Sequence, residues 1–168
     1  TTLASGAYSH AEGRETTSSG DYSHAEGRQT IAVGLYQHVQ GQFNITSSVE
    51  AAFIIGNGAS NNNRSNLVVA SGSQVQITGS FSQGTNAIAS GSNSHAEGEN
   101  TRAVGDYSHA EGKDTRASGT FSHAEGRLTT SSGNYSHAEG YLTTTSEAYS
   151  HAEGYNTTAS GQYSHAEG

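Results

Sequence analysis

The stretch GDYSHAEGRQT, residues 20 to 30, contains the word SHAEG, which the chain of 168 residues repeats eight times. All nine histidines stand in the same slot of this word or of its variants. The glycine that closes each word recurs every 14 residues, with one interval of 15 between Gly41 and Gly56. Self-similarity at a fixed short period is the signature of a repeat architecture.

Twelve such units fill the chain, although an alanine replaces the closing glycine at position 70. The sequence therefore predicts a single repeat domain over residues 1–168, with degenerate coils at 42–84. The chain begins inside a repeat, so we expect it to be a segment of a longer protein.

The composition excludes several classes of protein. The formal net charge is -8, which argues against a nucleic-acid partner. No run of 18 apolar residues exists, so we expect no membrane insertion. Only 31% of the residues are hydrophobic, which is too few for a deep core that would offset about 1–2 kcal/mol per ordered residue. Stabilisation must come from another source.

A unit of 14 residues is too short for two helices, but it fits two short strands joined by tight glycine turns. Side chains alternate along a strand, so Ser, Ala and Gly of SHAEG share one face while His and Glu share the other. Only small side chains fit between the two strands of so thin a coil. The predicted fold is all-β, a parallel β-solenoid of about twelve 14-residue coils.

The degenerate middle of the chain indicates where the His/Glu face lies. Its His slot holds Phe53, Leu67 and Phe81, and its Glu slot holds Ile55, Val69 and Gln83. Bulky apolar residues readily replace buried groups but not functional groups in an exposed row. Small residues already fill the coil, so the face must pack against another chain. The predicted interface consists of His10, Glu12, His24, Glu26, His38, Phe53, Ile55, Leu67, Val69, Phe81, His95, Glu97, His109, Glu111, His123, Glu125, His137, Glu139, His151, Glu153, His165 and Glu167.

The period of 14 with SxAxG, two residues, then SxA or TxA, resembles the head domains of trimeric autotransporter adhesins of the YadA type. The resemblance implies a left-handed parallel β-roll with three chains around one axis, hence a homotrimer exposed on a cell surface. This sequence departs from the family by placing His and Glu, as in His109 and Glu111, where adhesin heads usually carry aliphatic residues.

The spelling YSHAEG is also similar to β-roll segments in tail fibres of bacteriophages and large viruses. VQGQFNI, residues 39–45, and IIGNGASNNNRSN, residues 54–66, resemble a stretch found beside such repeats in phage tail proteins. Together the resemblances imply a structural, extracellular protein of a cell surface or virion, which acts as a rigid spacer or head for host attachment. They imply no enzyme and no cofactor.

Other interpretations remain open beside this one. The chain could be a glycan- or receptor-binding module, with the exposed run Asn61, Asn62, Asn63 and Arg64 as its recognition surface and a host glycan or protein as its partner. The column of tyrosines could stack on glycans, although an aromatic ladder is the simpler interpretation. A His/Glu column could also bind a metal ion. A hydrolase triad is opposed by geometry, because Ser and His of SHAEG point to opposite faces.

We expect each His to donate a hydrogen bond to a Glu of a neighbouring chain. Such pairing would lower the pKa of Glu and raise the pKa of His in the folded state. Stability would then peak in mildly acidic to neutral solution.

Overall fold

The computed structural model describes residues 1–50 and 52–168, and these residues form only strands, bridges, turns and loops. Over these ranges no helix is present that is long and apolar enough to cross a membrane. The chain divides into two compact units, Thr1–Thr78 and Gly79–Gly168. Each unit contains a β-solenoid, which confirms the predicted fold class.

The first unit has a three-stranded sheet, β1-β3-β5, and a six-stranded sheet, β2-β4-β6-β7-β8-β9. Its strands are β1 (Leu3–Ala4), β2 (His10–Arg14), β3 (Thr17–Ser18), β4 (His24–Arg28), β5 (Ile31–Ala32), β6 (His38–Gln42), β7 (Phe53–Asn57), β8 (Asn66–Ser71) and β9 (Gln74–Ile77). Parallel pairing joins each coil to the next through β7. His38 pairs with Phe53, which confirms the single interval of 15 residues.

The second unit is the more regular one, with seven long strands in one sheet and six short strands in the other. The long strands are β10 (Phe81–Gln83), β12 (His95–Glu99), β14 (His109–Lys113), β16 (His123–Arg127), β18 (His137–Tyr141), β20 (His151–Tyr155) and β22 (His165–Glu167). The short strands are β11 (Ile88–Ala89), β13 (Arg102–Ala103), β15 (Arg116–Ala117), β17 (Thr130–Ser131), β19 (Thr144–Thr145) and β21 (Thr158–Ala159). All pairs are parallel and offset by one repeat, as in His123 with His137.

Small residues fill the interior of each coil, as the alternation predicted. Ala124 and Thr129 are fully buried, and the alanines of five consecutive strands form one core cluster in the second unit. In the first unit Val39 and Ile54 enlarge the corresponding cluster. The core of each coil is only one methyl group thick, so each coil buries little apolar surface. The stability of the solenoid therefore depends on stacking many coils.

Two glycines recur in most coils for different reasons, although Glu147 fills the second position in one coil. Gly126 has a φ of +103°, which is strained for residues with a side chain. Gly119 has an ordinary φ, but a Cβ there would clash with the carbonyl oxygen of Gly133 in the next coil. Neither turn of the coil therefore has room for a side chain at its glycine.

Two further slots in each regular coil adopt the left-handed conformation without glycine, which was not anticipated from the sequence. The first is the Tyr slot, as at Tyr135 with a φ of 57°, and the second lies two residues after the closing glycine, as at Leu128 with a φ of 58°. Asn and Asp tolerate this conformation best. They occupy several of these slots, namely Asn86, Asn93, Asn100, Asp114 and Asn156.

The prediction of parallel coils through the degenerate region is wrong for Leu67 and Val69. Strand β8 runs antiparallel to β7 and pairs Val69 with Ile54, so Val69 packs against the buried core of the first unit rather than on the His/Glu face. Leu67 lies in the same strand, where the pairing with β7 is irregular. Strand β9 then returns antiparallel to β8.

The parallel period breaks at β8 and β9 because Gly72 and Ser73 form a hairpin turn. Ser71 pairs with Gln74, so only two residues connect β8 and β9, and Gly72 has a φ of +56°. A two-residue connection with glycine first matches the right-handed twist of antiparallel strands. This local signal overrides the 14-residue period.

Candidate functional site: the His–Glu column

The outward His and Glu side chains of successive long strands form a row in each unit, which we call the His–Glu column. In β16 the side chains of His123 and Glu125 are 35% and 36% exposed, whereas Ala124 between them is fully buried. Parallel pairing in register places each His beside the His of the next coil and each Glu beside the next Glu. The predicted alternation of faces is confirmed.

The imidazole rings of the column stack on one another. In the second unit the ring centroids from His95 to His165 are 4.7–4.9 Å apart, and their planes lie within 6° of parallel. In the first unit the rings of His10, His24 and His38 keep this spacing but are tilted by 47–53°. The strand spacing therefore sets the distance between imidazoles.

Apolar residues continue the column where His and Glu are absent. Phe53 packs on His38 and Phe81 packs on His95, each with ring centroids 5.3 Å apart. Ile55 pairs with Gln40 in the Glu slot. The predicted slots of Phe53, Ile55 and Phe81 are confirmed, and Phe53 is 37% exposed in the single chain.

Within one chain the nearest carboxylate to each imidazole lies on the same strand or on the adjacent coil. Nε2 of His123 is 3.5 Å from Oε2 of Glu125, and Nε2 of His24 is 3.9 Å from Oε1 of Glu12. These separations are longer than hydrogen bonds. Six Nε2 atoms are inaccessible to solvent and have no hydrogen-bond partner among the described residues. They belong to His24, His95, His109, His123, His137 and His151.

Within a single chain, without a carboxylate from a neighbouring chain, the pKa of His123 is lowered and not raised. Burial holds the pKa of its imidazole below the usual value, and the neighbouring His137 and His109 lower it further, while Glu125 and Glu111 only partly oppose them. A lowered folded pKa means that the unfolded chain binds the proton more readily. This residue therefore contributes stability that increases as the pH rises from the folded pKa towards the unfolded value near 6.5.

Four groups of three side chains bring potential metal ligands together, with all ligand atoms within 4.8 Å of one another. Two of them adjoin in the second unit: His123, Glu125 and His137 form one, and His137, Glu139 and His151 form the other. The remaining two lie at the ends of the chain, namely His10, Glu12 and His24, and Glu153, His165 and Glu167. Imidazole nitrogens with a carboxylate oxygen are ligands that suit zinc and similar ions.

The serine hydroxyls of SHAEG do not take part in the column. The hydroxyl of Ser122 donates to the carbonyl oxygen of Gly119 at 2.7 Å, and Ser122 is buried on the opposite face of the strand from His123. The geometry thus opposes a Ser–His nucleophile, as the alternation predicted.

The aromatic column stacks too tightly to offer ring faces to a glycan. Tyr135 lies between Phe121 and Tyr149 with centroids 5.1 Å apart on both sides and planes within 12° of parallel. Each ring face inside the ladder therefore contacts another ring, and the edges and hydroxyls face solvent. This favours the interpretation of the column as an aromatic ladder.

The run Asn61–Arg64 forms a turn in which only part of the predicted recognition surface is free. Nη1 of Arg64 donates to the carbonyl oxygens of Gln29 at 3.0 Å and Asn44 at 3.2 Å, and Nη2 donates to Oδ1 of Asn61. Arg64 therefore anchors the loop. The side chains of Asn61, Asn62 and Asn63 are exposed.

The sequence analysis missed the buried amide of Asn44, which seats the connection between β6 and β7. Its side chain accepts a hydrogen bond from the N–H of Ile31 at 2.8 Å and donates to the carbonyl oxygen of Ile31 at 3.0 Å. The side chain of Asn44 thus takes the place of the next short strand at the edge of β5. Nothing in the 14-residue period marks the Asn of GQFNI for this role.

The family model described as the YadA head domain repeat (2 copies) matches three stretches of the chain, residues 11–36, 82–108 and 152–168. The longest unmatched interval, 37–81, contains the antiparallel strands and the Asn61–Arg64 turn. No curated protein matches the chain. Coils, glycine turns and repeat spacing agree with the match, and the matched segments are similar to the YadA head domain repeat.

Proposed function

We propose that the chain is a structural segment of a surface-exposed fibre, and that it acts as a homotrimer in which the His–Glu column is the seam between chains. The observation that carries this proposal is the column itself, a half-buried row in which Phe53, Ile55 and Phe81 replace polar residues in register. The family match supports the adhesin-head role, because heads of this type are trimeric adhesins.

The surface beside the column has room for side chains of a neighbouring chain. In the first unit an open groove of about 590 Å³ is lined by Glu12, Gly13, Glu26 and Ile55, among others. Glycines in the groove floor allow another backbone to approach closely. A second chain placed there would cover both the carboxylates and the apolar residues.

The trimer is tested by light scattering combined with cysteine cross-linking. The chain has no cysteine, so a single introduced thiol reports on one position. Under oxidation His109→Cys, in the column, should give covalent dimers from trimers. Arg116→Cys, in the exposed slot of the other sheet, is the matched control and should not cross-link. A folded monomer by light scattering, or equal cross-linking of both variants, would contradict the proposal.

Host attachment is the finer part of the proposed function, either on a bacterial surface or on a phage or viral tail fibre. Asn61, Asn62 and Asn63 are consecutive exposed polar side chains on the segment that departs from the regular roll, and they favour receptor binding there. A glycan array and cell-binding assay on the intact trimer should detect a ligand. Replacing all three residues by Ala should abolish binding. Unchanged binding would show that the ligand binds elsewhere on the chain, and the absence of any ligand would leave only the spacer role.

A further inference from the structure

We infer that the central His–Glu column of the second unit binds a divalent transition-metal ion, of which zinc is the best match, through His137, one neighbouring His and the Glu between them. The two adjoining groups, His123 with Glu125 and His151 with Glu139, share His137. All ligands come from a single chain. The site therefore does not depend on the proposed trimer.

The nitrogen atoms that would bind the ion are buried and unpaired. Nε2 of His123, His137 and His151 is closed to solvent and lacks a hydrogen-bond partner among the described residues. Leaving such a buried polar atom unpaired costs about 1–3 kcal/mol. Each of these nitrogens faces a carboxylate oxygen at 3.5–3.8 Å, which is too long for a hydrogen bond. An ion between them would satisfy both groups.

The second feature is the distance between ligands. Zinc binds imidazole nitrogen and carboxylate oxygen at about 2.0–2.2 Å in tetrahedral geometry, so two donors of one ion lie about 3.3–3.6 Å apart. The donors of each group lie within 4.8 Å of one another. Side-chain rotations must therefore bring the most distant donors closer by at most about 1.5 Å. The rings of His123, His137 and His151 are parallel, so at least one ring must turn for two nitrogens to face the same ion.

The third feature is the number of ligands. Each group supplies three donor atoms from one chain. Two nitrogens and one oxygen from the protein leave a fourth position for water or for a residue of another chain.

The shared ligand limits the number of ions. Nε2 of His137 can bind only one ion at a time, so the two central groups are alternatives and hold one ion between them. His109 has the same slot, the same stacking and the same unpartnered Nε2, yet it belongs to none of the four groups. This difference supplies a matched control within the same column.

The experiment is equilibrium dialysis of the intact protein against Zn²⁺ with metal analysis. His137→Ala should lower the zinc content by about one ion per chain, because it removes the ligand that both groups share. His109→Ala should leave the zinc content unchanged. Equal losses in the two variants would show that zinc associates with the column as a whole, and no zinc on the parent protein would overturn the inference directly.

A second measurement covers the case in which His137→Ala fails to fold. Co²⁺ added to the parent protein should give the visible absorption of a four-coordinate site, and Zn²⁺ should displace it. In a separate titration with diamagnetic Zn²⁺, the ring ¹⁵N signals of His137 should shift while those of His109 stay in place. Absorption of octahedral hydrated Co²⁺ alone, or shifts that spread evenly over all histidines, would contradict a defined site.

Discussion

At the residue scale, each slot of the repeat is governed by one physical constraint. Ala124 is small because the coil interior is thin, and Gly126 is glycine because its φ is positive. Both constraints were predictable from period and alternation. The left-handed conformation of Leu128 and Tyr135 was not, because Leu and Tyr have no special preference for positive φ and gave no local signal.

Leu128→Asn should stabilise the protein by up to about 1 kcal/mol, because Asn relieves part of the cost of a left-handed residue. Asn100 and Asp114 already occupy this slot in the preceding coils, and Nδ2 of Asn100 donates to Oδ1 of Asp114 at 2.9 Å. Thermal unfolding measures the effect. The control is Leu67→Asn, in a strand at nearly the same exposure, 39% against 38%, and it should destabilise the protein. A loss of stability in both variants would contradict the backbone argument.

Glu15 should titrate below its usual pKa of about 4.5, chiefly because the side chain of Gln29 donates a hydrogen bond to its carboxylate, with a smaller contribution from Arg14. Gln29→Ala should raise this pKa towards the usual value. NMR of the carboxyl carbon measures both. Because the folded pKa is lowered, the contribution of Glu15 to stability is present above the unfolded pKa and is lost as the pH falls through the folded one. An unchanged pKa in Gln29→Ala would contradict the stated cause.

At the element scale, a strand of the repeat can be replaced by irregular chain only where another group forms the hydrogen bonds of the neighbouring strand's backbone. Asn44 shows this most clearly, since its fully buried side chain pairs with both backbone groups of Ile31 at the edge of β5. The parallel coils could be predicted because glycines recur at fixed spacing. The hairpin of β8 and β9 was missed because the 14-residue period was carried through it, although Gly72-Ser73 between two alternating runs is a hairpin signal.

Asn44→Ala should destabilise the first unit by about 1–3 kcal/mol, because the N–H and carbonyl of Ile31 lose their partner in a buried site. Amide hydrogen exchange at Ile31 should become faster, and the unfolding midpoint should fall. Asn62→Ala is the control in an exposed turn and should change neither quantity. If exchange at Ile31 stays slow in Asn44→Ala, another group satisfies this strand edge.

At the scale of the whole molecule, the single chain leaves the His–Glu column and its apolar members partly open to solvent. Sequence alone indicated that this face needs a partner, because the interior of the coil is already filled by small residues. It could not reveal the unpartnered Nε2 atoms, which depend on ring orientation and not on spacing. That residues 1–168 form one domain, and that three chains assemble, stay predictions.

Phe53→Ala should lower the free energy of unfolding by about 3–5 kcal/mol if assembly buries this ring. Phe121→Ala is matched in side chain and similarly exposed in the single chain, 48% against 37%, but it lies in the aromatic ladder and not in the column. Its effect should be smaller. Thermal unfolding and light scattering on both variants provide the comparison. Equal effects would show that Phe53 is not covered by another chain.

The in-register pairing of identical words has a genetic consequence. Removing residues 108–121 joins Tyr107 to Ser122 and restores the spelling YSHAEG, while His95 gains His123 as its neighbour in place of His109. The backbone pairing across the new junction is the one that the regular coils already make. Unequal crossing-over between near-identical copies can therefore shorten or lengthen the gene by whole coils, and the protein made from each product still forms the solenoid. Each event changes the reach of the fibre by about 4.8 Å, one strand spacing.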